Sequence, residues 1–258
     1  MIAVRPALRV AEYDAASFRK SWKSALFISV VSPVLFLGAM GLGLGGLVGS
    51  GRGTVAGVSY LRFLAPGLLV TTAMQTASAE TTYPIMNRLH WSKIYEAMLN
   101  TPLRVADLLA GELVWLTARF AVLSLLFHVV AVCFGAGRSA MALLAIPVAV
   151  ATGLAFATPI LAYTATQRND QGFNALNRFI ILPLFLLGGS FFPVTQLPLV
   201  LQGIAWATPL THGVALGRDL YLGTAGVPSS LVHVLVLVLY TVVGVLLARW
   251  TMTRRLVV

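Results

Sequence analysis

The chain has 258 residues, 58% of them hydrophobic and 10% charged, with a formal net charge of +10. That balance excludes an ordinary soluble domain and specifies an integral membrane protein. The positive charge then reports orientation and contact with anionic headgroups, not nucleic-acid binding. A single cysteine, Cys133, excludes an internal disulfide and a cysteine metal cluster, and reads as a small buried apolar residue.

At the start of the chain, Leu8, Ala11, Ala15, Phe18 and Trp22 recur at three and four, while Arg9, Glu12, Arg19, Lys20 and Lys23 fall mostly elsewhere. This pattern predicts an amphipathic helix over 5–24 lying in the cytoplasmic interface, with a simple basic anchor as the other reading. Apolar runs then predict six spans, at about 25–48, 61–86, 106–134, 140–166, 176–192 and 231–250, on the rule that ~20 residues cross a bilayer. The first run is too long, and follows too long a leader, to be a cleaved signal peptide.

Six spans put both termini on one side, and charge selects the side. With both inside, the inner segments hold Arg5, Arg9, Arg19, Lys20, Lys23, Arg88, Lys93, Arg104, Arg168, Arg178, Arg249, Arg254 and Arg255, most of the eighteen basic residues. The outer segments hold Arg52, Arg62, Arg138 and Arg218, and Arg119 falls within the third span. The asymmetry predicts an N-in/C-in topology.

Gly41, Gly43 and Gly46 match GxGxxG, but neither the strand before nor the acidic residue after that a dinucleotide site needs is present. Gly41, Gly45, Gly49, Gly53 and Gly57 repeat every four residues and read instead as a helix-packing seam at the end of the first span, with Gly51 to Gly53 as an outer loop.

The second span is polar. Thr71, Gln75, Ser78 and Thr82 make one stripe, with Thr72, Thr76, Glu80 and Tyr83 beside it. An unpaired polar group in hydrocarbon costs about 1 to several kcal/mol, so this half of the helix faces protein or a watery path. Glu80 lies about 9 Å in from the cytoplasmic edge at ~1.5 Å per residue. Glu112 enters the third span to a similar depth, with Arg119 two turns further along the same face. An internal ion pair between Glu112 and Arg119 is one reading of them, and a gating role is the other.

Between spans two and three, 87–104 reads NRLHWSKIYEAMLNTPLR. It predicts a short cytoplasmic helix ended by Pro102. Leu89, Trp91, Ile94, Tyr95 and Met98 alternate with Arg88, His90, Lys93 and Glu96, a surface suited to a protein partner or to headgroups. After span five the chain is cut at Pro193, Pro198 and Pro209. The apolar piece 199–208 is about half of the ~20 residues a span needs, which predicts a segment that dips in and returns.

The stretches at 63–115 and 191–220, together with the interfacial helix, resemble a permease subunit of the ABC type-2 exporter family, in the branch of nodulation-factor, antibiotic and polysaccharide exporters. The second stretch, FFPVTQLPLVLQGIAWATPLTHGVALGRDL, carries the specific part in Phe192, Pro193, Leu197, Pro198, Pro209, Thr211 and Arg218. The resemblance implies two permease subunits, as homodimer or heterodimer, driven by two cytoplasmic ATP-binding subunits. Segment 87–104 becomes the coupling helix, with Arg88, His90, Trp91, Lys93, Tyr95 and Glu96 toward the ATPase. Spans one and five meet across the dimer. Spans two and five line the path, with Thr72, Gln75, Thr76, Glu80, Tyr83, Phe191 and Phe192 on it. The stretch 193–218 forms a re-entrant outer gate carrying Pro193, Pro198, Pro209, Thr211 and Arg218.

The sequence lacks a GxxxxGK[ST] loop, so ATP and its magnesium are expected on the partner chain and none in this one. The implied cargo is an amphipathic drug, lipid or glycolipid. An ion-coupled secondary transporter is the competing class, but it would need midplane ionisable groups and an internal repeat. A membrane enzyme would need an assembled site, whereas His128 and His233 sit in apolar runs without carboxylates and His212 follows Thr211.

Overall fold

A computed structural model of the chain describes residues 4–20, 22–39, 54–55, 57–137 and 139–257. Its elements are α1 (Val4–Phe18), α2 (Trp22–Phe36), a two-residue hairpin of β1 (Thr54–Val55) on β2 (Val58–Ser59), α3 (Tyr60–Thr81), α4 (Tyr83–Met86), α5 (Ile94–Leu99), α6 (Val105–Cys133), α7 (Ala145–Thr166), α8 (Gln171–Leu176), α9 (Leu182–Leu187), α10 (Leu199–Trp206), α11 (Pro209–Leu222) and α12 (Val227–Leu256). Apart from that hairpin, the regular elements among the described residues are all helical. The glycine repeat from Gly41 to Gly53, Arg52 and Arg138 lie outside the described residues, and only Gly57 of that repeat is described, in the left-handed region at the turn between β1 and β2.

Among the described residues three helices are long and apolar enough to cross a membrane: Val105–Cys133, Ala140–Thr166 including its tight first turn, and Val227–Leu256. The pair Leu199–Trp206 and Pro209–Leu222, bent by 84°, makes a fourth if read as one span. α3 is 22 residues long but more polar. The stretch expected as span five is not one regular helix. It starts at Gln171, widens to an i→i+5 turn over Asn177–Ile181, and stops at Leu187 before Gly188 and Gly189.

α7 is the central helix, packed on α12, α3, α11 and α6. Small residues let these helices close. A Cβ on Gly244 of α12 would lie 2.2 Å from Thr158 Oγ1 of α7, and one on Gly213 of α11 would lie 2.2 Å from Thr152 Oγ1. The main core joins Leu64, Leu68, Met74, Phe120, Phe127, Phe156 and Leu210. A second core toward the other end of α6 and α7 gathers Val10, Ile85, Leu89, Tyr95, Leu108, Leu161 and Met252.

The first helix departs from expectation in two respects. It ends at Phe18, and Trp22 already opens α2. The face it buries is also rotated from the expected one. Ala7, Val10, Ala11 and Asp14 are buried against α6, while Leu8 and Trp22 stay exposed. The closeness is set by Gly111, where a Cβ would stand 2.5 Å from Val10 Cβ and 2.7 Å from the Ala7 carbonyl oxygen. Phe18 meets Trp115 edge-on at 5.5 Å. Cys133 is free and exposed on the last turn of α6, not buried.

Candidate functional site

The stretch expected as one helix over 87–104 is two pieces joined by a sharp corner. α4 opens into an i→i+5 turn over Asn87–Trp91, which closes when the Ser92 amide and hydroxyl both donate to the Asn87 carbonyl, at 2.8 and 2.9 Å. Lys93 then takes φ 51°, a left-handed conformation uncommon for a residue with a Cβ. α5 starts on the far side of that corner. Asp107 accepts the Arg104 amide at 3.0 Å and fixes where α6 begins; an acidic residue there also suits the helix dipole.

The corner gives the segment two sides. Trp91 (60% exposed), Lys93 and Glu96 face outward, the last two 3.6 Å apart. Leu89 and Tyr95 are buried, so they are core residues and not surface anchors. His90 lies between the sides. Its Nε2 is 3.1 Å from the Gln167 carbonyl oxygen, which the donor tautomer satisfies, and Arg255 Nη2 from the end of α12 is also 3.1 Å from the ring.

Inward, the segment is tied by charge. Arg88 pairs with Glu112 of α6 and stands 2.8 Å from Asp14 of α1, while the Tyr95 hydroxyl donates to Glu112 Oε1 at 2.6 Å. Asp14 and Glu112 are both buried. Burial, and then the neighbouring Glu112 charge, push the Asp14 carboxyl up to about 7 against the pull of Arg88. Burial opposes the charge on Arg88, but Glu112, Tyr95 and Asp14 together outweigh it and its pKa rises. The Tyr95 hydroxyl, buried beside Glu112, is also held above its ordinary value.

Glu112 and Arg119 are thus both in ion pairs, but not with each other. Arg119 Nη2 pairs with Glu80 of α3 at 2.8 Å, and its guanidinium lies 4.9 Å from the centre of the Phe18 ring. Seven residues along one helix separate Glu112 and Arg119 by about 10 Å of rise, so each finds a nearer partner on another element. Periodicity places a charge on a face and says nothing of which element arrives opposite it.

The polar side of α3 divides. Thr71, Ser78 and Thr82 are buried in protein. Thr71 Oγ1 donates to the Gly67 carbonyl at 2.6 Å and lies 2.5 Å from Ser190 Oγ, and Ser78 donates to Asn177 Oδ1 at 3.2 Å. Thr72 and Thr76 are half-buried and donate to carbonyls four residues back. With Ser124 they line a crevice of only about 10 Å³ between α3 and α6. Gln75 and Tyr83 are exposed, Tyr83 meeting Phe173 edge-on at 5.2 Å. Phe191 packs between Phe36 and Phe185 at ring distances of 6.1 and 5.0 Å, and Phe192 is half-buried beside it.

After Ser190 the chain is re-aimed by Pro193, a tight turn over Val194–Gln196 and Pro198, and then forms the short helix α10. The break at Ala207 and Thr208 is held from α12 and α11. The Tyr240 hydroxyl donates to the Ala207 carbonyl at 2.5 Å, and His212 Nε2 lies 2.9 Å from the Trp206 carbonyl oxygen. His212 Nδ1 is 2.8 Å from His233 Nδ1, and Trp206 stacks on His233. His128 meets the Tyr221 hydroxyl at 2.7 Å. The Thr211 hydroxyl is buried without a hydrogen-bond partner among the described residues. Arg218 sits 3.7 Å over the Phe63 ring and donates to the Gly189 carbonyl at 2.6 Å, clamping α11 to α3 and to the end of α9.

The ABC-2 type transporter family profile matches residues 11–222, which takes in the connecting segment, α6, α7 and the whole broken stretch. The chain belongs to the ABC-2 type transporter family. It is similar to Nodulation protein J of Rhizobium leguminosarum bv. trifolii, 37% identical over 240 residues that cover 92% of this chain and 90% of the relative. Nodulation protein J of Rhizobium meliloti is 33% identical with the same shares covered. The Inner membrane transport permease YadH of Escherichia coli K12 is 24% identical over 92% of this chain and 90% of its own. The ABC-2 chain described here is accordingly a multi-pass protein of the cell membrane and the transmembrane permease subunit of an ABC exporter, with the ATPase on a separate subunit.

Proposed function

We propose that this permease subunit pairs with a second permease, identical or related, over two ATP-binding subunits, and moves an amphipathic drug, lipid or glycolipid outward. In this reading the chain crosses the membrane six times with both termini inside, and ATP and magnesium are bound by the partner. The observation that carries it is the two-sidedness of the connecting segment. Trp91, Lys93 and Glu96 are free for a cytoplasmic partner, while Arg88 and Tyr95, on the same short stretch, are locked to α6 and α1. A push on the outer side is therefore delivered to buried charges and not dissipated in a loop.

The path runs between subunits. Within one subunit α3 and α6 close on each other at Thr72 and Thr76, so the groups free to line a passage are those on the open side of α3, Gln75 and Tyr83, with Glu80 held by Arg119 at its inner end. Phe191, Phe192 and the segment from Pro193 to Arg218 form the outer gate, with Arg218 as its clamp. A conformational change is coupled to nucleotide only insofar as nucleotide binds the two states differently. Copurification of the tagged chain in mild detergent, followed by ATPase assay, tests the reading. An ATP-binding subunit is expected to copurify, with substrate-stimulated turnover lost in Trp91→Ala. Recovery of the chain alone across several detergents would overturn it.

A further inference from the structure

We infer that the joint between α1, the connecting segment and α6 holds one exchangeable proton, carried on Asp14, and that the joint opens with a change in its proton count. The first support is a charge count. Five ionisable side chains from four elements meet there: Asp14 on α1, Glu80 on α3, Arg88 on the connecting turn, and Glu112 and Arg119 on α6, with the Tyr95 hydroxyl of α5 against them. Glu80 and Arg119 balance one another, which leaves two buried carboxyls facing one guanidinium. A buried charge without a counter-charge is neutralised by a proton when one is to hand.

The hydrogen bonds select the carboxyl. Glu112 already receives two donors, Arg88 and the Tyr95 hydroxyl. Asp14 is 2% exposed, and among the described residues its one cationic neighbour is Arg88, whose Nη2 stands 2.8 Å away but is not well directed at either oxygen. The upward displacement of Asp14 caused by its burial and by Glu112 agrees with that assignment. Asp14 is also on the one element of the joint that neither belongs to the connecting segment nor enters the main core. Moving Arg88 with the segment strips the cation from both carboxyls, and separating α1 from α6 lets water reach Asp14. Either motion changes the number of protons bound. The protonation stands on this chain alone, whereas its link to the transport cycle rests on the proposed coupling role of 87–104.

The sign follows from linkage. A carboxyl raised in the folded state binds its proton there while the unfolded chain has lost it, so stability falls as pH rises from the ordinary aspartate range toward about 7 and levels above that. The test uses the full chain purified in detergent. The melting temperature of wild type is expected to fall between pH 5 and pH 8, and that of Asp14→Asn, which fixes the neutral form, to lose this slope. Infrared spectra at pH 6 should contain a protonated-carboxyl carbonyl band absent from Asp14→Asn. Equal pH slopes in the two proteins, or a band unchanged by the substitution, would overturn the inference. If Asp14→Asn fails to fold, the wild-type infrared titration decides alone: a carboxyl band lost near neutral pH supports the proposal and no such band refutes it. Neither readout depends on whether an ATPase copurifies, so this inference and the transport reading fail separately.

Discussion

Replacing Arg88 with alanine leaves Asp14 and Glu112, whose side chains are 1% and 2% exposed, facing each other without a cation. Removing one partner of a buried ion pair costs ~3–5 kcal/mol, because the remaining charge stays desolvated. Arg88 itself is 17% exposed, so water offsets part of the loss and the low end, ~3 kcal/mol, applies. For a chain of this size that lowers the melting temperature by roughly 6–12 °C. Arg88→Lys keeps the charge but presents a compact ammonium in place of a planar fork, and it should melt between wild type and Arg88→Ala. The decisive control is Arg88→Leu combined with Glu112→Leu. If the loss is that of an uncompensated charge, the double variant recovers part of it, and the coupling between the two positions is non-additive. The loss should also shrink toward pH 5, where a protonated Asp14 needs no cation. Differential scanning fluorimetry of the purified chain measures these proteins together with the single variants Arg88→Leu and Glu112→Leu, which complete the cycle. An Arg88→Ala protein that melts with wild type, or a double variant less stable than Arg88→Leu, would show that Arg88 does not neutralise a buried charge.

At Gly111 a larger side chain meets Val10 and the Ala7 carbonyl, so Gly111→Leu should push α1 off α6, cost about 1–3 kcal/mol, and expose residues before Phe18 to limited proteolysis. Gly244→Val places a Cβ against Thr158 at the contact between α7 and α12, and should lower the melting temperature more than Gly203→Val, where a Cβ has nothing within 4 Å. Arg218→Ala removes the clamp on the Gly189 carbonyl and the cation on Phe63. Charged hydrogen bonds of this kind contribute ~1.5–3 kcal/mol. Transport in vesicles should fall or become leaky while assembly, read by gel filtration, persists.

The long elements were legible because one physical rule fixes each of them. Apolar runs over 106–134, 140–166 and 231–250 correspond to the helices Val105–Cys133, Ala140–Thr166 and Val227–Leu256 because hydrocarbon forces every backbone group to bond within its own segment. Prolines at 193, 198 and 209 marked the broken stretch for the same local reason, the missing amide. What depends on a distant partner was not legible. Nothing in the spacing of Glu112 and Arg119 announces that Arg88 and Glu80 arrive opposite them. The pattern Leu8, Ala11, Ala15, Phe18 and Trp22 predicted one face for α1, whereas Gly111, a hundred residues on, makes Ala7, Val10, Ala11 and Asp14 the buried one.

In the sequence Tyr95, an aromatic among charges, looks like an anchor for a partner, and the corner at Lys93 that turns it inward has no signature in a residue type that rarely takes a positive φ. The hydroxyls of α3 were recognised as needing cover. Which of them receive it from Ser190 and Asn177 was settled only by the return of a segment a hundred residues away.

The proposed seat of the ATP-binding partner is the outer side of 87–104. The sole cysteine, Cys133, is replaced by alanine, and a photoreactive cysteine label is introduced at Trp91→Cys. The variant should lie within about 0.5 kcal/mol of the parent in stability, since Trp91 is 60% exposed. Illumination in membranes that express the chain together with its native complement of proteins, followed by mass spectrometry of the adduct, is the measurement. A crosslink from position 91 to an ATP-binding subunit, changed in yield by nucleotide, is the predicted result. A label that reaches only lipid, in a preparation where an ATP-binding subunit copurifies, would contradict the account.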